Sequence, residues 1–191
     1  MVDIRFDSAT MDMLKSMIGK SFEHYSCDPF VFTPNVFGIV GFRIGGDTYK
    51  MTSGLEAVQR FFHDDDVAVM RLVPCQLSEI VSMMEGGQMI DTPVQDTIVI
   101  IDVVNDRESV AHDGEQKEML STKGVIFHLA SGNEVSFEIG TWFSEMITIR
   151  RGYELIKQFT PLADFSLNIS AMTANIKLFS DAILIDADFI E

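Results

Sequence analysis

The chain has 191 residues, of which 47% are hydrophobic, including 15 Phe and 12 Met. Such a chain can bury a core large enough to fold without metal or disulfide staples, and global disorder is excluded. Its 29 acidic and 14 basic residues give a formal net charge of −15, which disfavours direct binding to nucleic-acid phosphates.

The first apolar pattern predicts an amphipathic helix over residues 11–25, which ends at Asp28 because that residue precedes a proline. A capping-box pattern predicts a second helix over residues 54–62. Apolar residues spaced i, i+3, i+4 and i+7 predict a third over residues 77–84. Residues 153–159 complete the set as a short helix before a proline.

Strands outnumber these helices. Alternating apolar residues around glycine turns predict two hairpins, over residues 40–51 and 125–139. The apolar and β-branched stretch 98–104 is typical of a strand covered on both faces, whereas the polar stretch 105–116 indicates a long hairpin loop. Further strands are predicted over residues 67–72 and 146–149 and in alternating segments between residues 167 and 189.

These elements predict an α+β fold, with mostly antiparallel sheet built from hairpins or a meander and two to four short helices. We expect one compact domain over residues 1–191. A weak repeat relates residues 36–72 to residues 122–151. The chain could therefore consist of two similar halves, 1–92 and 93–191, each a barrel-like β-unit. Chance is the alternative, because any two hairpins share this alternation.

The location predicted from sequence is the cytoplasm, with no membrane association. The longest apolar stretch is interrupted by Asp102 and is far shorter than the about 20 residues that a spanning helix needs. The first residues carry acids where a signal peptide would be basic. Cys27 and Cys75 are therefore expected to be free thiols.

No motif with specific chemistry is present. The sequence lacks Gly-rich loops with nucleotide-binding spacing and the Gly-x-Ser-x-Gly, His-Glu-x-x-His and Cys-x-x-Cys patterns. We therefore assign no catalytic residue, no metal ligand and no cofactor.

Three groupings could in principle hold a metal ion, and each has a plainer explanation. The run His63-Asp64-Asp65-Asp66 fits a solvated loop, because adjacent acids point in different directions. Asp186 and Asp188 fit the solvent face of a strand, and His24 with Cys27 supplies two of the four ligands that structural zinc requires.

Two single residues also merit attention. His128 lies between two inward-facing apolar residues on a predicted strand and therefore faces away from them, as a surface histidine or one with satisfied hydrogen bonds. Trp142 could anchor a partner, although a tryptophan beside Phe143 more often lies in a core.

The sequence favours a non-enzymatic interaction module whose partner is another protein, and homo-oligomerisation stays open. The alternative is a small metal-dependent enzyme with carboxylates gathered from separate strands. A minor alternative is an acidic mimic of nucleic acid. A concave pocket lined by carboxylates or histidines with shifted pKa values would favour the enzyme.

Overall fold

The computed structural model describes residues 1–29, 33–61, 63–112, 115–140, 143–160 and 175–185. Within them lie one α-helix, α1 (Ser8–Met17), and two 3-10 turns, Leu77–Glu79 and Leu155–Gln158. The strands are β1 (Val2–Ile4), β2 (Ser21–Cys27), β3 (Asn35–Phe37), β4 (Ile39–Ile44), β5 (Asp47–Arg60), β6 (His63–Pro74), β7 (Ile90–His112), β8 (Glu115–Leu129), β9 (Glu134–Ile139), β10 (Met146–Gly152) and β11 (Asn175–Ile185).

The prediction of an α+β fold with two to four helices is wrong, and so is the picture of separate barrel-like units. The strands form a single open sheet of 11 strands in the order β3-β10-β9-β8-β7-β2-β4-β5-β6, with β1 paired to β8 and β11 to β7. All described pairs are antiparallel except β1 with β8. The predicted predominance of antiparallel sheet is confirmed.

The first helix is shorter than predicted because a β-bulge imitates helical spacing. Helix α1 begins after Asp7, whose carboxylate accepts a hydrogen bond from the backbone N–H of Thr10 at 2.8 Å. Beyond Gly19, which has a left-handed φ of 81°, the chain becomes strand β2. A register shift places Phe22 and Tyr25, three residues apart, both in the core.

The other three predicted helices are also corrected. Residues 54–60 continue strand β5, whose pairing with β6 runs to Arg60 opposite His63. The stretches 77–84 and 153–159 contain a single 3-10 turn each. None of the described residues in these three places forms the α-helix that the apolar spacing predicted.

The described residues of the polar stretch, 105–112 and 115–116, lie in strands and not in the predicted loop. Strands β7 and β8 stay paired as far as His112 opposite Glu115. Buried polar side chains satisfy one another across the two strands, as in the hydrogen bond of 3.0 Å from the Thr122 hydroxyl to the side-chain amide oxygen (Oδ1) of Asn105. Such pairing lets a strand bury polar residues without leaving them unsatisfied.

Strand β7 connects two parts of the sheet that pack face to face. Its residues 90–97 pair with β2, and its residues from Ile98 onward pair with β8. The core between the halves contains edge-to-face aromatic rings whose centroids lie 4.7 to 6.0 Å apart. These rings belong to Phe22, Phe42, Phe127 and Phe137.

The proposed repeat corresponds to two three-stranded meanders, β4-β5-β6 and β8-β9-β10. Strand β5 has 14 residues whereas β9 has 6, and Arg71 lies opposite Thr52 whereas Arg151 lies opposite Val135. Duplication and the division into halves stay predictions.

None of the described helices has the length and apolar character needed to cross a lipid bilayer.

Candidate functional site

Two places in the described structure concentrate features that a function could use. One is a polar network on the outer face of β7, β8 and β9, and the other is an exposed apolar segment between β6 and β7.

The polar network is centred on His128, which faces away from the core as predicted. Its Nε2 lies 2.9 Å from an Asp102 carboxylate oxygen on β7, and its Nδ1 lies 3.3 Å from a Glu134 carboxylate oxygen on β9. The hydrogen bond to Asp102 raises the pKa of His128 against the opposing effect of burial, and both carboxylate charges add to the rise. These neighbours therefore favour the charged imidazolium, which can donate from both nitrogens, more than water does for a free histidine.

This geometry suits a structural clamp. The two carboxylates approach opposite ring nitrogens, so the three groups do not converge on one point where a metal ion could lie. The second Glu134 oxygen accepts a hydrogen bond of 2.7 Å from the backbone N–H of Leu155. His128 thus orients a carboxylate that holds the 3-10 turn against the sheet.

A second set of charges lies buried further along the same strands. Glu138, which is fully buried, contacts the Arg150 guanidinium and accepts a hydrogen bond of 2.7 Å from the backbone N–H of Thr160. The Lys123 ammonium lies 3.4 Å from Asp106 and 4.0 Å from Glu138. These buried charges are paired with one another, as stability requires.

A cleft of about 230 Å³ opens beside this network. Arg107 in its wall is paired with Glu118 at 2.7 Å. The lining comprises Met1, Arg5, Asn105, Asp106, Arg107, Glu118, Leu120 and Asp181. It includes no histidine, and its mixed charges do not form the carboxylate pocket that would favour an enzyme.

The metal candidates from sequence are not brought together within the described residues, where no three His, Cys, Asp or Glu side chains form a group that could hold an ion. Asp64 to Asp66 lie on strand β6, not in the predicted loop. His24 lies 3.9 Å from Asp91. Trp142, Asp186 and Asp188 lie outside the described residues.

Cys27 and Cys75 are both free thiols, as predicted. Burial raises the pKa of Cys27 to about 11, and the neighbouring Asp28 carboxylate adds to the rise. A thiol with so high a pKa is a poor nucleophile and a poor ligand near neutral pH.

The second place is the segment of residues 75–90, which crosses the outer face of the sheet between β6 and β7. Four of its large apolar side chains are exposed to solvent. The exposed fractions are 68% for Leu77, 53% for Val81, 52% for Met83 and 49% for Met84. We call these four residues the apolar patch.

Specific contacts hold this segment in place. The Glu79 carboxylate accepts hydrogen bonds from Lys50 Nζ at 2.7 Å and from the backbone N–H of Gln76 at 2.9 Å. Ile80 packs so tightly on strand β4 that a Cβ atom added to Gly41 would lie 2.5 Å from Ile80 Cδ1. A methyl group at that position would force the side chain of Ile80 to shift, because that side chain occupies the space.

Met83 is anchored by its backbone. Its N–H donates to Asp28 Oδ2 at 3.4 Å, and its side chain lies 3.5 Å from the position of a Cβ on Gly38. Asp28 is nearly fully buried, and its Oδ1 has no hydrogen-bond partner. The backbone N–H of Gly38 donates to the carbonyl oxygen of Glu145. Two exposed aromatic residues lie close to this pair in sequence, Phe37 at 39% and Phe143 at 57% exposure.

No family model matches the chain, and no curated protein or solved structure shows a significant similarity to it. The apolar patch was missed as a site by sequence reasoning. Its signal was present as the helix-like spacing of Leu77, Ile80, Val81 and Met84, which predicted a helix over residues 77–84.

Proposed function

We propose that this protein is a non-enzymatic binding module that docks another protein on the apolar patch. The observation that carries the proposal is the exposure of four large apolar side chains in one short segment that is anchored to the sheet. Exposed apolar side chains grouped in one segment favour an interaction site, because leaving apolar surface in water is unfavourable.

The chemistry of the patch supports a protein partner. Two of its four side chains are methionines, whose flexible thioethers adapt to different apolar surfaces. The segment around them is fixed by Glu79 and Ile80, so little backbone order has to be gained on binding.

The polar network offers less to a catalytic alternative. His128 is engaged at both ring nitrogens, and Glu134 and Glu138 hold backbone N–H groups of residues 155–160. A general base needs a free lone pair aimed at a substrate. We place the module in the cytosol, where the free thiols Cys27 and Cys75 are stable.

The experiment is site-specific photo-crosslinking in the cells that make the protein. A photoreactive amino acid replaces Met84 in one variant and Leu55 in a matched control, whose side chain is 45% exposed on strand β5. We expect a specific adduct from position 84, absent from position 55. The adduct should be lost when Val81→Asp is added and retained when Leu55→Asp is added.

Equal adducts from both positions, or an adduct from position 84 that survives Val81→Asp in a folded protein, would contradict the proposal. Thermal unfolding of each variant shows whether the fold is retained.

A further inference from the structure

Residues 81–88, in the second half of the 75–90 segment, are bonded mainly to one another. The Ser82 hydroxyl accepts a hydrogen bond from the Met84 N–H at 3.0 Å and donates to the Met84 carbonyl oxygen at 3.2 Å. The Gly87 N–H donates to the same carbonyl oxygen at 2.9 Å. Gly86 has a left-handed φ of 70°, which glycine adopts without strain. These residues therefore form a turn whose order does not depend on contact with the sheet, and we call them the flap.

A single hydrogen bond joins the flap to the rest of the described structure. It runs from the Met83 backbone N–H to Asp28 Oδ2 at 3.4 Å, which is longer than the about 3.2 Å that ordinary N–H···O bonds reach. The residues just before the flap are held more firmly, because Glu79 is bonded to Lys50 and Ile80 packs on strand β4. The flap is therefore loosely held beside a fixed anchor.

The acceptor of that bond, Asp28, is buried at a cost in free energy. The residue is only 4% exposed, and its Oδ1 has no hydrogen-bond partner among the described residues. A buried carboxylate loses hydration that one long hydrogen bond does not replace. In the closed position the Met83 N–H occupies the place from which water would hydrate Oδ2. Opening the flap therefore relieves part of this cost.

Apolar packing under the flap resists opening only weakly. Met83 Cγ lies 3.5 Å from the position of a Cβ on Gly38, yet the Met83 side chain stays about half exposed. Val81 and Met84 are about half exposed as well. Segments with few buried apolar contacts and few hydrogen bonds to the rest of a fold open at low free energy.

We propose that the flap is a conformational element that opens away from the sheet as a unit, and that the buried charge of Asp28 favours the open position. Opening uncovers Gly38 and Asp28 Oδ2. Three of the four residues of the apolar patch lie on the flap, so its position decides how the patch is presented. The motion belongs to the free protein and does not rest on the docking function.

The test is amide hydrogen exchange of the full chain without a ligand, followed by NMR. We expect the wild-type Met83 N–H to exchange through a local opening that depends little on low concentrations of denaturant, because such an opening exposes little surface. The reference is the N–H of the buried Ser53, which donates to the Gly38 carbonyl oxygen at 3.0 Å in the sheet. It should be protected at least about a hundredfold more strongly.

Two matched pairs of variants locate the cause. Asp28→Asn removes the charge and keeps an acceptor for Met83, and it is compared with Asp64→Asn, which removes an exposed charge on β6. Met83→Ala removes the side chain that lies on Gly38 and is compared with Met84→Ala, since both side chains are exposed to a similar extent.

We expect Asp28→Asn to slow exchange of the N–H at position 83 about fivefold or more, because closing the flap no longer buries a charge. Met83→Ala should speed it about threefold or more through lost packing. The two controls should stay within about twofold of the wild type, after each rate is corrected for its intrinsic value.

Three results would overturn the inference. Faster exchange at position 83 in Asp28→Asn would show that the carboxylate stabilises the closed flap. Equal changes in Asp28→Asn and Asp64→Asn would assign the effect to net charge. Exchange of the wild-type Met83 N–H only through global unfolding, as at Ser53, would show that the flap does not open by itself. This last result needs no variant, so it decides even where a substitution prevents folding.

Discussion

His128 shows how a single residue can link the pH of the solution to the fold. Its neighbours Asp102 and Glu134 raise its pKa in the folded state above the ordinary 6.5. Its stabilising contribution is therefore fully present below the ordinary pKa of 6.5 and is lost as the pH rises through the folded-state pKa.

Replacing His128 with Gln should accordingly lower the free energy of unfolding by about 1–2 kcal/mol below pH 6.5, because two hydrogen bonds to charged groups lose their ionic character. The difference from the wild type should shrink at higher pH. Urea denaturation across a pH series measures it. His24→Gln is the control, since the His24 ring lies 3.9 Å from Asp91, and a deficit in His128→Gln that is constant with pH would contradict the clamp.

The two thiols should differ in reactivity. Cys27 is buried and its pKa is raised to about 11, whereas Cys75 is partly exposed. A small alkylating reagent at mild alkaline pH should therefore modify Cys75 first in the folded protein, because the thiolate is the reactive form. Mass spectrometry of digested samples follows both sites. Faster modification of Cys27 would show that the packing around it opens readily.

Among the secondary-structure elements, the long β5–β6 hairpin is tied to β7 by a nearly buried ion pair, in which Arg60 lies 2.6 Å from Glu108. Replacing Glu108 with Ala leaves the guanidinium buried without its carboxylate and should cost about 3–5 kcal/mol of stability. Glu56, which pairs with Arg71 at 2.8 Å in a half-exposed position, provides the comparison.

The Glu56→Ala change should cost at most about 1 kcal/mol, because water screens an exposed pair. Equilibrium unfolding in denaturant compares the two variants. Similar losses of stability in Glu108→Ala and Glu56→Ala would mean that the ion pair of Arg60 with Glu108 does not stabilise the β5–β6 hairpin more than an exposed pair does.

The anchoring of the 75–90 segment can be tested by a double-mutant cycle. Gly41→Ala should destabilise the protein by about 1–3 kcal/mol, because the added methyl group would meet Ile80 at 2.5 Å. Combining it with Ile80→Ala should cost less than the sum of the single changes. Gly54→Ala is the control, since no atom lies within 4 Å of a Cβ there. Additive costs would show that Ile80 does not rest on Gly41.

These elements also show what could be predicted from the sequence. The hairpins were predictable because strict alternation and glycine turns are local signals. The bulge between Phe22 and Tyr25 was not predictable. One extra residue in a strand separates two buried side chains by three positions, which is the spacing expected in a helix. The strand character of residues 105–112 depends on partners such as Thr122 and Lys123, which approach only in the folded chain.

The candidate site was partly visible and wrongly interpreted. Leu77, Val81 and Met84 have helical spacing, yet they are the exposed residues, whereas Ile80 packs on the sheet. An apolar stripe indicates burial, but the sequence does not say whether the chain itself or a partner supplies the cover. A mismatch between local pattern and fold is common at functional surfaces.

For the whole molecule, the sheet topology and the acidic charge have different origins. Strand β7 pairs with β8, which directly follows it, and with β2 and β11. The last two strands are distant in sequence, and no local pattern encodes their pairing with β7. The net charge of −15 follows directly from composition. Charge governs association more than fold, whereas the proposed function depends on the apolar patch.

The most direct test of docking on the apolar patch is amide hydrogen exchange. It is measured on the protein alone and on its complex with the partner recovered by crosslinking. Within the 75–90 segment few backbone N–H groups donate to the backbone, among them those of Glu79, Ile80 and Gly87, so bound and free states should differ clearly. We predict slower exchange on binding in residues 76–90 and in β3, with β6 unchanged. Slower exchange confined to the edge strand β6, with residues 76–90 unaffected, would contradict the account.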